Sequence, residues 1–198
     1  MSKIHKDTKN GFLKNLTDDL MNSSINRVLI RGYSWKMNFR LVLETLELCE
    51  FYNGLLTTQI LKKISDLFMI AGFEGVEAHL NEITVIGKIE NEFTKLNCHI
   101  CHGIGKDFNL IFPIQSQLIN EKNTQRVIDA IKNSMAKKTI IITTNDFDRN
   151  PEKLYSFVDS VQILDVSKNS GEGNEWNFQE KMKILKENFN AKGKDLPY

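Results

Sequence analysis

The densest chemistry in this 198-residue chain is the run Cys98-His99-Ile100-Cys101-His102. As C-x-x-C-H it has the pattern by which two thioethers and an axial histidine hold a c-type haem. As a thiolate pair it is half of a tetrahedral zinc site, with His102 and a distant ligand such as His79 completing the four. Haem attachment of this kind calls for export, and the polar start MSKIHKDTKNG predicts no signal peptide. The segment also reads as a strand. Cys98, Ile100 and His102 then point one way and His99 and Cys101 the other, so both sulfurs reach one metal only if a turn breaks the strand. A second cluster, Arg27, Arg31, Trp35, Lys36 and Arg40, mixes cations with an aromatic around the first predicted strand and second helix. These residue types touch phosphates and stack bases; the plainer alternative is a solvated helix end with Trp35 closing the core. Gly103-Ile104-Gly105-Lys106 has the composition of a phosphate cradle, but a strand follows it, which predicts a hairpin turn and no P-loop. Asp146, Asp148 and Asp165 fall at or just past the ends of buried strands, where open α/β sheets place ligands and where turns and caps also use Asp. No Ser-His-Asp or Cys-His triad spacing stands out. His5 lies in the tail, and His79, His99 and His102 fall in predicted strands.

The elements that must position these residues change texture along the chain. Up to about residue 72 the period is helical. Phe12, Leu13, Leu16 and Leu20 share a face opposite Asp18 and Asp19, and a short strand is predicted at Arg27–Ile30. Phe39, Val42, Leu43, Leu46 and Cys49 form a stripe ending at Asn53-Gly54. Thr57 or Thr58 caps the next helix, with Ile60, Ile64, Leu67, Phe68 and Ala71 on one side and Gly72 closing it. This predicts a helical hairpin or part of a helix-turn-helix. From Phe73 the period becomes β: Val76–Leu80, Ile83–Ile89, Leu96–His102 and Phe108–Gln115 predict a meander of three or four strands. Val127, Ile128, Ile131 and Met135 mark a helix. Thr139–Thr144 is apolar on both faces, as a central parallel strand covered by helices requires. Asn150 as N-cap, Pro151 at the first position and Glu152 in the first turn open a helix through Leu154, Phe157 and Val158. Val161–Val166 is another buried strand, Ser167–Asn174 a linker, and Phe178, Met182, Leu185 and Phe189 a last amphipathic helix before a loose tail.

The order of elements from about residue 56 to 166, with Gly72-Phe73 closing a helix, Ile142-Thr143-Thr144-Asn145-Asp146-Phe147 ending an apolar strand and Val161-Gln162-Ile163-Leu164-Asp165 forming a late one, resembles the Mrr-like branch of the restriction-endonuclease fold. The resemblance implies an Asp after the first strand and a (D/E/Q)-x-K pair on the next, which together hold a divalent cation and orient water for phosphodiester cleavage. Glu77 or Glu82 stands where the Asp is expected. The second motif falls on Gln115-Ser116-Gln117 or on Asn97-Cys98-His99, neither with its lysine. The resemblance therefore implies a nuclease-like scaffold without the standard cleavage site. The alternative is an active metal-dependent nuclease using Glu77, Glu82 and Gln115 with Mg²⁺ and a lysine from elsewhere, such as Lys88 or Lys106.

Composition bounds the rest. With 26 Lys+Arg against 25 Asp+Glu, a formal charge of +1, 3 Pro and 11 Gly, the chain is neither a low-complexity nor a self-repelling disordered polymer. Near-neutral charge excludes coating of nucleic acid by bulk electrostatics while leaving a local basic face open. No run approaches the roughly 20 apolar residues of a membrane span. The odd count of 3 Cys does not suit a secreted disulfide framework and predicts a reducing intracellular compartment. The expected fold is α/β, a central mixed sheet flanked by helices, with a helical part over residues 1–55, a nuclease-like core over 56–166 and a linker and helix over 167–198. The expected function is a nucleic-acid-associated or assembly protein without a cofactor, with nucleic acid or protein as partner; a zinc-stabilised interaction module on Cys98, Cys101 and His102 is the other alternative.

Overall fold

The computed structural model describes residues 2–96, 102–143 and 151–166, together with residues 183, 184, 186, 187, 190, 191 and 193. Eight strands form one sheet in the order β1-β8-β2-β7-β6-β3-β5-β4. The strands are β1 (Lys3–Asp7), β2 (Arg27–Gly32), β3 (Asn53–Thr58), β4 (Ile83–Ile86), β5 (Ile89–Lys95), β6 (Phe108–Ile111), β7 (Lys138–Ile142) and β8 (Ser160–Leu164). Every pair is parallel except the β4–β5 hairpin, so the sheet is mixed. The helices are α1 (Lys9–Met21), α2 (Trp35–Leu48), α3 (Leu61–Ile70) and α4 (Glu121–Lys132), with 3-10 turns at Gln115–Ile119 and Pro151–Phe157.

Side-chain alternation along the strands builds a core on each face. Val28 and Ile30 of β2, Phe108 and Leu110 of β6 and Ile140 and Ile142 of β7 pack under α1, α2 and α3. Leu29, Ile111 and Ile141, one residue out of phase, pack under α4 and the two 3-10 turns. The chain thus crosses one face through α1–α3 from β1 to the β4–β5 hairpin, then returns across the other face to β8. Central strands covered on both faces read as unbroken apolar runs, and the expected parallel strand at Thr139–Thr144 and the buried strand at Val161–Val166 are found as β7 and β8.

Several expectations are corrected. The helical hairpin over residues 39–72 is interrupted by β3, which lies between β5 and β6. Asn53-Gly54 begins that strand; the Phe108 ring fills the space above Gly54, where an added Cβ would lie 2.1 Å from its Cζ. Thr58 ends the strand, its Oγ1 accepting from the Ile60 amide before α3 starts. The expected boundary at residue 55 falls inside β3, and residues 1–55 supply two strands and the start of a third as well as two helices. The tail holding His5 is β1, paired along its length with β8. The meander reduces to one hairpin: Val76–Leu80 makes a single bridge at Leu80, the run Ile83–Ile89 breaks at Gly87 (φ 63°), and β5 and β6 are separated by β3. The run Phe108–Gln115 stops at Ile111, before the cis Phe112-Pro113 bond, and continues as a 3-10 turn. Met135, expected on a helix, lies beyond α4 and is exposed. The helix expected after Pro151 is 3-10. Asp19, expected on the solvent face of α1, is buried: its Oδ2 accepts from Ser160 Oγ and, at 2.5 Å, from Gln162 Nε2. Asn150, the linker at 167–174 and Phe178, Met182, Leu185 and Phe189 lie outside the described residues.

Candidate nucleic-acid interface

Because the strands run parallel, the connections leaving β1, β2, β3, β6 and β7 all emerge at one edge. α2, which follows β2, packs on the α1–α3 face and the 3-10 turn at Pro151–Phe157, which follows its neighbour β7, on the other, which is the arrangement that opens a crevice at strand carboxyl ends. Gly32 ends β2 there, and Tyr33 and Ser34 connect it to α2. Gly32 sits so close to its surroundings that a Cβ would lie 2.9 Å from Asn38 Oδ1 and 3.1 Å from the Leu164 carbonyl. Ser34 caps α2, its Oγ accepting from the Met37 amide at 3.4 Å. Burial pushes the Tyr33 hydroxyl above its ordinary pKa.

Of the five residues expected to contact nucleic acid, the start of α2 gathers Trp35, Lys36 and Arg40. Trp35 is half-buried, its ring 5.8 Å from that of Phe112, which in turn stacks on Phe39 at 5.0 Å. Lys36 and Arg40, four residues apart, point into solvent from one side of the helix. The other two are elsewhere. Arg27 opens β2 at the opposite edge, five residues or about 17 Å away along the strand. Its backbone N–H, with that of Asn26, donates to Asp159 Oδ2. Arg31, expected on the surface, is 2% exposed. It projects beneath the 3-10 turn at Pro151–Phe157, where Nη1 contacts the Tyr155 hydroxyl and lies 2.8 Å from Glu152 Oε1. A cation so enclosed holds that turn against β2.

The residues of the nuclease alternative do not converge. Glu77 and Glu82 are exposed on the segment leading into β4; Glu77 lies 3.6 Å from His79. Gln115 is buried beyond β6, three strands away from β4, or about 14 Å, outside the span of one cation's ligands. Gln115-Ser116-Gln117 forms a 3-10 turn rather than a strand. Lys106 is bound to Glu92 at 3.2 Å and to Asn53 Oδ1 at 3.0 Å. Lys88 sits in the β4–β5 turn, its amide donating to Glu47 Oε1. Cys98, His99 and Cys101 lie outside the described residues; His102 is half-buried and bridged to Ser134. Gly103–Lys106 is a turn, with the Lys106 amide donating to the Gly103 carbonyl, but not the expected hairpin, because β6 after it pairs with β3 and β7. Asp146 and Asp148 lie outside the described residues, and Asp165 is buried just past β8. Among the described residues no group of three His, Cys, Asp or Glu is placed to hold a metal ion, and no helix is long and apolar enough to cross a membrane.

Sequence reasoning missed a buried polar group near this edge. Asn38, in α2, is wholly buried with both amide atoms unpartnered among the described residues; the amide of Gln115, which the sequence singled out for a different role, is buried and unpartnered too. Asn38 falls inside the apolar stripe of α2, and that misplacement was its only signal. No protein-family model matches the chain, and no curated protein matches it.

Proposed function

We propose that this chain is a nucleic-acid-associated protein that binds through the start of α2 and does not cleave. The observation that carries the reading is the convergence of half-exposed Trp35 with solvent-facing Lys36 and Arg40 at the carboxyl edge of a parallel sheet. The cations neutralise phosphate, and the indole supplies a flat apolar face for a base. Phe112 behind Trp35 fixes the ring, so that stacking costs little side-chain ordering. The separation of Glu77 and Glu82 from Gln115 weighs against cleavage through that set.

Binding of fluorescent single- and double-stranded DNA and RNA, measured with Mg²⁺ and with EDTA, tests this. Expected are retained binding in EDTA, intact oligonucleotides on a denaturing gel, and weaker binding by Lys36→Ala/Arg40→Ala. Metal-dependent cleavage lost in Glu82→Ala would instead establish the nuclease alternative, and no binding to any of the four would refute the proposal.

A further inference from the structure

Helix dipoles favour acidic residues in the first turn and basic residues in the last. α4 obeys this, with Glu121 at its start and Lys132 at its end. The helices on the other face do the opposite. α1, α2 and α3 have no acidic residue in the first turn and no basic residue in the last, and their first turns carry Lys9, Lys36, Lys62 and Lys63. All these lysines are exposed, and so is Lys95 at the end of β5. Among the described residues none of them takes part in an ion pair. At the opposite edge of the sheet Lys106 and Lys137 are paired, with Glu92 and Asp107.

These lysines lie far apart in sequence. The parallel strands bring them to one edge, because each follows the carboxyl end of β1, β2 or β3 or sits on that of β5. From β1 to β5 is six interstrand steps, a row of about 29 Å. Trp35 stands within it. The helix ends differ in what they leave open. The Asp7 carboxylate covers the start of α1, near enough that a Cβ on Gly11 would lie 2.5 Å from Oδ1, while α3 has no side-chain cap. At α2, Asn38 is wholly buried with both amide atoms unpartnered and turned against Gly32 in the entering loop.

We infer that this lysine row is a track for a single-stranded nucleic acid, laid across the amino ends of α2 and α3 with a base stacked on Trp35. The inference rests on the function proposed above and specifies its ligand. A row of cations at the starts of helices raises the free energy of the unliganded protein, and a polyanion removes that penalty. The length suits the shorter sites, about 4–16 nucleotides, of single-strand binders. Stacking on the half-buried indole in the row requires an unpaired base, which a duplex does not offer.

The test uses the full chain carrying Trp176→Phe, so that emission reports Trp35. A 12-nucleotide single strand and a hairpin duplex are titrated between 50 and 200 mM salt. Expected are preference for the single strand, quenching of Trp35 by it alone, and a log K against log salt slope of about −3, a fall of about 60-fold across that range. Lys62→Gln/Lys63→Gln should flatten the slope by about 1.4. Trp35→Leu should weaken binding at least fivefold, with Trp35→Phe restoring most of it. Equal binding of the duplex, or a slope unchanged by Lys62→Gln/Lys63→Gln, overturns the track while leaving nucleic-acid association standing. Failure to bind either nucleic acid refutes both readings, and binding of phosphatidylserine vesicles in its place, lost with the same lysines, reassigns the row to a lipid surface.

Discussion

Lys138 offers the sharpest test of how this fold is held. It is the first residue of β7 and only 5% exposed, yet it carries an ammonium. Its Nζ donates to the carbonyl of Asn22 at 2.6 Å, to that of Ile25, and more weakly to that of Asp19 at 3.5 Å. These carbonyls lie at the end of α1 and the turn into β2, where a helix leaves acceptors without intrahelical partners. Lys138→Met keeps the length and apolar stem and removes the donor. Two good bonds from a charged group contribute about 1.5–3 kcal/mol each, less the relief of no longer burying a cation, so a net loss of about 3 kcal/mol is expected. For a domain of this size that is a fall of about 6–12 °C in Tm. Burial holds the Lys138 ammonium below its ordinary pKa of 10.5, against the opposing fields of Asp19, Asp159 and Cys49. The unfolded chain then binds more protons than the folded one between the two values, so stability rises with pH across that interval. The difference between wild type and Lys138→Met in urea melts should therefore widen as pH climbs from 7 toward 10.5. A variant as stable as wild type, or a difference that narrows over that range, would refute the reasoning.

Gly54→Ala should cost about 1–3 kcal/mol in chemical denaturation, because the new methyl enters space held by the buried Phe108 ring. Glu152→Gln should cost no more than about 1 kcal/mol, since the Glu152 end of its pair with Arg31 is half exposed. Tyr155→Phe should cost more, by removing the hydroxyl that accepts from enclosed Arg31 Nη1; equal melting temperatures would contradict this. Burial pushes the Cys49 thiol up, against a small opposing field from Lys138. With Cys98→Ser/Cys101→Ser as background, Cys49 should resist a thiol-reactive dye at pH 7.5 until denaturant is added, and rapid labelling of the native chain would contradict its burial.

Strands β7 and β8 are legible from composition, because Ile140-Ile141-Ile142 and Ile163-Leu164 put apolar side chains on both faces and only a strand covered on both faces needs that. β3 is not. Asn-Gly followed by Thr-Thr carries local signals for a helix stop and a helix start, and burial between β5 and β6 overrides them, with Thr57 Oγ1 donating to Asn109 Oδ1 across to β6. The meander fails for a related reason. Local reasoning pairs consecutive strands, whereas β5 and β6 both pair with β3, earlier in the chain. Trp35, Lys36 and Arg40 are visible in the sequence because they lie within one helix. Lys9, Lys62 and Lys95 become neighbours only through parallel pairing, so no window along the chain contains them.

The strand order also has a consequence for how the chain is made. Among the described residues β1 pairs only with β8, β2 only with β7 and β8, and β3 with β5 and β6. When the first half of the chain has left the ribosome, β1 and β2 are without neighbours and β3 has one. Their slots are filled by segments synthesised last. The sheet then closes like a zip whose two tapes arrive at different times, and nearly every closure spans a long loop. The amino-terminal half therefore waits, apolar helices and strand edges uncovered, until residue 164 is available, and that interval is when the protein is most dependent on chaperones and most open to aggregation.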